Sequence, residues 1–302
     1  MRACDSVDRV THPLPARHLF LALAVVAVWG TNFVVMKSAL GQVPPLLLAT
    51  LRFTFALLPG LLLLPRPQVA WTNLAAYGLL AGAQFALVYV AVNGHISPGL
   101  ASLVVQAQVF FTIGLAMHFA NESVRGYQWF ALLLAAAGIG VIVGHTDGST
   151  SVLGLALILL AALSWAGANI ASKRAGKAHM LAYVVWSSAF AVPPLLVLSL
   201  VFEGPAAIQA SLRGASAGIW GAILWQAWGN TLFGYAAWGW LLARHPAATI
   251  SPLALLVPVF GMGASALWLG EALPLWKLVA AALVMTGLAL NLLWPKWRAA
   301  IA

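Results

Sequence analysis

Ten apolar runs, each close to twenty residues long, occupy almost all of this chain and leave it few places to fold except across a bilayer. They fall at 18–38, 45–64, 72–92, 98–119, 126–144, 152–172, 181–201, 217–242, 247–269 and 275–294. A helix rises about 1.5 Å per residue, so about twenty residues cross a hydrocarbon core about 30 Å thick. Turn-forming or charged residues separate the runs: Gly41 to Pro45, Pro65-Arg66-Pro67, Asn121-Glu122, and His145 to Ser149. The two-residue alternation of a membrane β-barrel strand is absent. Composition points the same way. Hydrophobic residues make up 63% of the 302 and charged residues 7%, against roughly 25% charged in soluble domains. So much apolar surface needs lipid as its outer solvent. The expected fold class is an all-α integral membrane protein with ten transmembrane helices.

Residues 1–17 are polar and irregular and are expected to form a cytoplasmic leader, with 295–302 as a tail. The apolar run from His18 to about Met36 follows a basic flank but is longer than a signal-peptide core, and is taken as the first span. The lone cysteine, Cys4, supports neither an intramolecular disulfide nor a thiolate metal site. The formal charge of +9 would suggest nucleic acid in a soluble chain. In a multi-span chain it marks the cytoplasmic loops instead. With ten spans, Arg2, Arg9, Arg17, Arg66, Arg125, Lys173, Arg174, Lys177, Arg244, Lys296 and Arg298 share the side of the termini, against Lys37, Arg213 and Lys277 opposite. Both termini are therefore expected in the cytoplasm.

The chain also resembles itself. Trp29, Asn32 and Lys37 in the first run are echoed by Trp165, Asn169 and Lys173 in the sixth. Further on, a constant shift of 149 matches Phe111 to Phe260, Gly114 to Gly263, Glu122 to Glu271, and Gly138 to Gly287. A longer loop near 202–216 absorbs the extra residues of the second half. Residues 18–144 and 152–294 thus read as two copies of a five-helix unit. Five is odd, so the second copy enters the membrane inverted, and inverted repeats place a central cavity between the halves.

These repeated residues carry a family resemblance. Trp29-Gly30-Thr31-Asn32-Phe33-Val34-Val35-Met36-Lys37 resembles the first span of EamA-type carriers of the drug/metabolite transporter superfamily. So do Pro98-Gly99-Leu100-Ala101-Ser102 leading into Gln106-Ala107-Gln108-Val109-Phe110-Phe111, and Ser251-Pro252-Leu253 through Val257-Pro258-Val259 to Glu271. The likeness covers roughly residues 18–298 and is strongest to bacterial amino-acid exporters of the EamA and YddG kind. It implies two inverted halves around a cavity, an inner-membrane location, and export of aromatic or other neutral amino acids by alternating access. The alternatives are a carrier of another small metabolite or drug, and a membrane sensor or scaffold without flux. Against the last, the loops are short and the tails lack an interaction domain. A monomer is expected.

The polar inventory narrows the chemistry. All six acidic residues and all seven histidines lie in the leader, in loops or near span ends. No nucleophile–base pair or metal-ligand set can be assembled at depth, so neither an enzyme nor a resident cofactor or metal is expected. No buried carboxylate offers itself as a proton relay. The spans hold amides, hydroxyls and indoles instead, which together suit a zwitterion with a variable side chain. The candidate cavity residues are Asn32, Gln84, Tyr89, Ser102, Gln106, Phe110, Trp165, Asn169, Gln226, Trp228 and Asn230, between spans 1, 3, 4 and 6, 8, 9. Helix–helix glue is the competing role for each amide. Gln106 stands out because its repeat mate is Leu255. Ser102, Gln106 and Phe110 are expected on one helical stripe, and Gln108 is expected to turn away, about 200° from Gln106. Gln226 and Asn230 share a face of span 8, with Trp225, Trp228 and Tyr235 as a second line. Arg52 is the only charge well inside a span. It is taken to snorkel or to cap carbonyls near the external end of a peripheral span 2, the alternative being an anchor for a carboxylate.

Overall fold

The computed structural model describes residues 14–120, 126–145, 150–176, 178–245 and 247–301. The leader up to residue 13, the Asn121-Glu122 break, the turn at 146–149 and Lys177 lie outside the described residues. Helices supply all the regular structure among the described residues. Nine of them are long and apolar enough to cross a membrane. They include span 1 at Ala16–Leu40, span 2 at Pro45–Leu63, span 3 at Trp71–Val92, span 5 at Gly126–Val143, span 6 at Val152–Arg174 and span 7 at Met180–Phe202.

Three spans are interrupted. Span 4 runs as Pro98–Val104, a 3₁₀ turn at Val105–Ala107, and Gln108–Ala120. Span 9 breaks near the repeat-related place, with a 3₁₀ turn at Ser251–Leu255 before Leu256–Leu269. Span 8 stays helical from Ala217 to Arg244 but winds as a π-helix over Trp225–Phe233. Span 10 is Leu275–Ile301. Within the longer loop of the second half, Pro205–Gly214 forms a short helix with no buried residue.

Packing follows a two-fold pattern. Spans 2 and 7, spans 4 and 9, and spans 5 and 10 pack against each other as repeat mates. The remaining contacts come in related pairs: span 3 on span 6 and span 8 on span 1, span 4 on span 6 and span 9 on span 1, span 3 on span 7 and span 8 on span 2. With five spans per repeat, this axis inverts one half relative to the other. The Gly- and Ala-rich faces of spans 5 and 10 meet within the chain. A Cβ on Gly138 would lie 2.9 Å from the Ala280 carbonyl oxygen, and one on Gly287 would lie 2.6 Å from that of Ala131. Only glycine permits this approach.

Two carboxylates clamp span ends. Glu203 accepts from the Leu46 and Leu47 backbone amides at 2.6 and 2.9 Å, at the start of span 2. There a negative charge meets unsatisfied N–H groups and the positive end of the helix dipole. Glu271 accepts from Ser97 Oγ at 2.5 Å, from the Gly99 amide at 3.0 Å and from Lys277 Nζ at 3.0 Å. This buried cluster fastens the start of span 4 to the loop between spans 9 and 10.

Candidate functional site

A cavity of about 440 Å³ lies between the two repeats, walled chiefly by spans 1, 3, 4, 6, 8 and 9. Span 1 contributes Trp29, Asn32, Phe33 and Met36, whose i, i+3, i+4, i+7 spacing is one face of a helix. Span 3 adds Gln84, Phe85 and Val88, and span 6 adds Trp165 and Asn169 one turn apart. Away from the termini the cavity is sealed by Met36, Val88 and Val105, all almost fully buried. Beside the cavity, spans 1 and 9 nearly touch, since a Cβ on Gly30 would lie 2.6 Å from the Val257 carbonyl oxygen, and further from the termini a Cβ on Gly261 would press on Ser102 Oγ of span 4. At the end that carries the termini, lining residues Met180, Ser251 and Leu292 are partly exposed. The cavity is therefore reached from the termini side.

Its polar groups are amides. Asn32, Gln84 and Gln106 are 5%, 6% and 6% exposed. The side chains of Gln84 and Gln106 make no hydrogen bond to any described residue, and Asn32 Oδ1 is buried without a partner. Buried polar atoms in proteins are almost always bonded, so the idle Asn32 Oδ1 calls for a partner, and the Gln84 and Gln106 amides, open to the same cavity from spans 3 and 4, are free to meet a ligand with it. A fourth group is partnered: Asn169 Nδ2 donates to Gln108 Oε1 at 2.7 Å. No Asp, Glu, His, Lys or Arg among the described residues lines the cavity.

The broken helices decide which candidate residues reach it. Gln106 and Gln108 both do, although Gln108 was expected to turn away. On an ideal helix Val105 and Val109 define the cavity-facing direction, and the two glutamines flank it about 160° apart. A broad cavity takes both edges. Ser102 and Phe110 do not line it. The 3₁₀ turn between them advances about 120° per residue instead of about 100° and breaks the expected stripe. Ser102 Oγ donates to the Gly99 carbonyl at 2.7 Å and packs on Gly261, while Phe110 joins the core.

Span 8 shows the same effect. In a π-helix the backbone bonds run from i to i+5, which brings residues five apart into line. Thr231 Oγ1 donates to the Gln226 carbonyl at 3.0 Å. Gln226, Asn230 and Thr231 then share a side facing span 2. Of these only Asn230 also lines the cavity. Gln226 accepts from Tyr89 Oη at 2.5 Å, and both side chains are fully buried behind the wall. Trp225 and Trp228 are 43% and 47% exposed and point outward, Trp228 Nε1 donating to the Phe55 carbonyl at 3.0 Å. Tyr235, the third member of that expected line, turns into the cavity instead.

Arg52 departs furthest from expectation. It neither snorkels nor caps carbonyls, being 1% exposed. Nη2 donates to Asn230 Oδ1 at 2.6 Å and to Thr231 Oγ1 at 2.9 Å, and Nη1 donates to Tyr89 Oη at 3.2 Å. The guanidinium lies over the Phe85 ring at 3.8 Å. Span 2 is not peripheral at this level, because it packs on spans 3, 7 and 8.

A family model described as the EamA-like transporter family matches residues 16–144 and again 152–293. The chain belongs to the EamA-like transporter family. Among EamA-like relatives, a protein of Escherichia coli (strain K12) named "Probable amino-acid metabolite efflux pump" is 39% identical over 288 residues, covering 93% of this chain and 96% of the relative. A protein of Salmonella typhimurium with the same name is 39% identical over 279 residues, covering 90% and 93%. A solved crystal structure superimposes with a TM-score of 0.62 at 19% identity, over 94% of this chain and 99% of the other, and shares its fold. The two family matches coincide with the structural halves, and the cavity lies between them. This is a multi-pass membrane transporter of the EamA-like family, and its relatives' names support a metabolite exporter.

Sequence reasoning missed several lining residues. Phe33, Met36, Phe85 and Trp238 all face the cavity. Phe33 and Met36 carried a usable signal, since they lie one and four residues beyond Asn32 on the same helical face. Trp238 carried none, because its facing depends on the π-helix before it.

Proposed function

We propose that this chain exports amino acids and closely related metabolites by alternating access, with Asn32, Gln84, Gln106, Asn169 and Asn230 as the polar half of the substrate site. The observation that carries this reading is the set of three amides that are more than nine-tenths buried, line one cavity and lack protein partners. Neutral amides donate to a carboxylate and accept from an ammonium without adding a fixed charge to the site. Trp29, Trp165, Phe33 and Phe85 supply apolar faces for a variable side chain. The cavity reached from the termini side corresponds to the loading state of an exporter whose termini are cytoplasmic in a bacterial inner membrane. Tight contact of spans 4 and 9 beyond Val105, at Ser102 and Gly261, then forms part of the gate that must open for release.

The test is efflux from liposomes loaded with labelled amino acids and containing the purified chain. Saturable efflux of neutral amino acids, competed by unlabelled substrate, is expected. Efflux no faster than from protein-free liposomes, across neutral, aromatic and sulfur-containing amino acids, would refute it.

A further inference from the structure

Arg52 has neutral partners for both terminal nitrogens but none for its charge. Its donors reach Tyr89, Asn230 and Thr231, all neutral oxygen acceptors, and Nε has no partner. No carboxylate pairs with it among the described residues, and there the buried ion pair joins Lys277 to Glu271 instead. An intramembrane cation without a counter-ion is costly to maintain and marks a functional position by default. Its repeat-related slot holds Ser187 or Ser188, and there the fold close-packs instead: a Cβ on Gly78 would lie 2.0 Å from the Ser187 carbonyl oxygen. The architecture therefore does not require a charge at this level.

Two residues connect this charge to the cavity. Phe85 and Asn230 both touch the Arg52 guanidinium and both line the wall. A single layer of side chains separates the cation from whatever occupies the cavity. Water is largely excluded between them, so the field is weakly screened. Arg52 also fixes the Asn230 amide. With Oδ1 engaged and one Nδ2 hydrogen directed at the Val28 carbonyl at 3.5 Å, Asn230 keeps its other N–H as a donor for the cavity. Asn169 has the opposite polarity, because Nδ2 donates to Gln108 and leaves Oδ1 as an acceptor. Trp165, one turn before Asn169, adds an aromatic face that attracts cations.

We propose that Arg52 is a specificity-determining positioning residue that selects substrates bearing a carboxylate, draws that carboxylate to Asn230 and turns the ammonium toward Asn169 and Trp165. This rests on the export reading and adds to it a defined substrate class and orientation. Amines and esters of the same shape, which carry only positive charge, are rejected.

Three matched probes test it in liposomes containing the full chain: phenylalanine, its methyl ester and phenethylamine, each as competitor of labelled phenylalanine efflux. For the wild type, the ester and the amine should compete at least about tenfold more weakly than phenylalanine, a modest effect for a charge one side chain away. Arg52→Gln, which retains donors but no charge, should bring the three within about threefold of one another, and Arg52→Lys should keep most of the discrimination. Asn230→Asp is the second variant. It neutralises Arg52 in place through the contact already present, so it tests the charge even if Arg52→Gln does not fold. It too should lose the preference. Wild-type competition by the amine equal to that by phenylalanine overturns the proposal. So does undiminished discrimination in a folded Arg52→Gln or in Asn230→Asp. A wild type that moves no amino acid at all defeats the export reading, and this proposal with it. A wild type that moves phenylalanine without discriminating defeats this proposal alone.

Discussion

Gly138 and Gly287 stand 149 positions apart in sequence, and each presses on the carbonyl of an alanine that is the repeat mate of the other's: Ala280 and Ala131 are also 149 apart. The offset read from the sequence is thus reproduced atom for atom at the contact of spans 5 and 10. A methyl group at either glycine meets a backbone oxygen, which cannot rotate aside as a side chain would. Gly287→Val and Gly138→Val should each destabilise the protein by about 1–3 kcal/mol, the usual range for overpacking. Because the contact is symmetric, the two losses should be similar. Thermal unfolding in detergent checks this. An unchanged midpoint for either variant would mean that spans 5 and 10 do not pack this closely.

The Glu271–Lys277 pair makes a different prediction. Its side chains are 8% and 4% exposed. Glu271→Gln leaves the Lys277 ammonium buried without its counter-ion and should cost about 3 kcal/mol or more. Replacing both, as Glu271→Gln with Lys277→Met, should recover a good part of that loss, since the unpaired charge is gone. The comparison is made by unfolding curves of the single and double variants. A double variant no better than the single would show that the Ser97 and Gly99 contacts, not the ion pair, carry the stability.

The spans, the duplication and the six walls of the cavity were legible in the sequence because hydropathy, span parity and a constant offset depend only on composition and order. Asn32, Gln84, Gln106, Trp165, Asn169 and Asn230 were legible on the same grounds, as polar or indole groups at mid-span. Tyr89, Ser102, Phe110, Gln226 and Trp228 do not line the cavity: Tyr89, on an unbroken span, turns to Arg52 and Gln226 behind the wall, and the other four were placed by assuming an unbroken α-helix. The 3₁₀ turn at Val105–Ala107 and the π-helix at Trp225–Phe233 rotate everything beyond them. Neither has an unambiguous signal in a single sequence. Arg52 was misjudged for another reason. A long cation near the start of a span ordinarily reaches for water, and its three side-chain acceptors come from spans 3 and 8, far away in sequence.

Orientation rests on the distribution of basic residues. With Cys4 replaced by serine, a cysteine at Gln68, in the loop between spans 2 and 3, should react with membrane-impermeant reagent only after the cells are opened. A cysteine at Ser211, in the short helix before span 8, should react in intact cells. The reverse pattern would invert the protein, and the cavity would then face the outside.

Coupling follows from the lining. No titratable carboxylate, imidazole or amine among the described residues faces the cavity. His95 and His118, the two histidines nearest to being exceptions, are not among the lining residues. Transport should therefore run down the substrate gradient without an obligatory proton. In liposomes with equal amino acid on both sides, an imposed pH gradient should cause no net movement. Accumulation driven by that gradient alone would point to a proton site that the cavity does not contain.

Gln106 offers the sharpest separation between glue and site. It is 6% exposed, near the middle of span 4, and its side chain makes no hydrogen bond within the described residues. If it were glue, replacing it would break a contact and destabilise the fold. With no contact to break, Gln106→Leu should instead be neutral or stabilising, by up to about 1 kcal/mol, because an idle buried amide is removed. Its repeat mate Leu255 lines the same cavity, so leucine is already accommodated in that setting. Flux should fall by most of its value all the same, since a substrate would lose a hydrogen-bonding partner and meet a methyl group in its place. Trp228→Phe is the control. Trp228 faces outward, and its indole bond to the Phe55 carbonyl lies away from the cavity, so flux per folded molecule should hold while stability falls slightly. Efflux rate and unfolding midpoint, measured together on both variants, give opposite signatures for the two roles. A Gln106→Leu protein that unfolds earlier yet transports normally would assign the residue to packing and move the site elsewhere on the cavity wall.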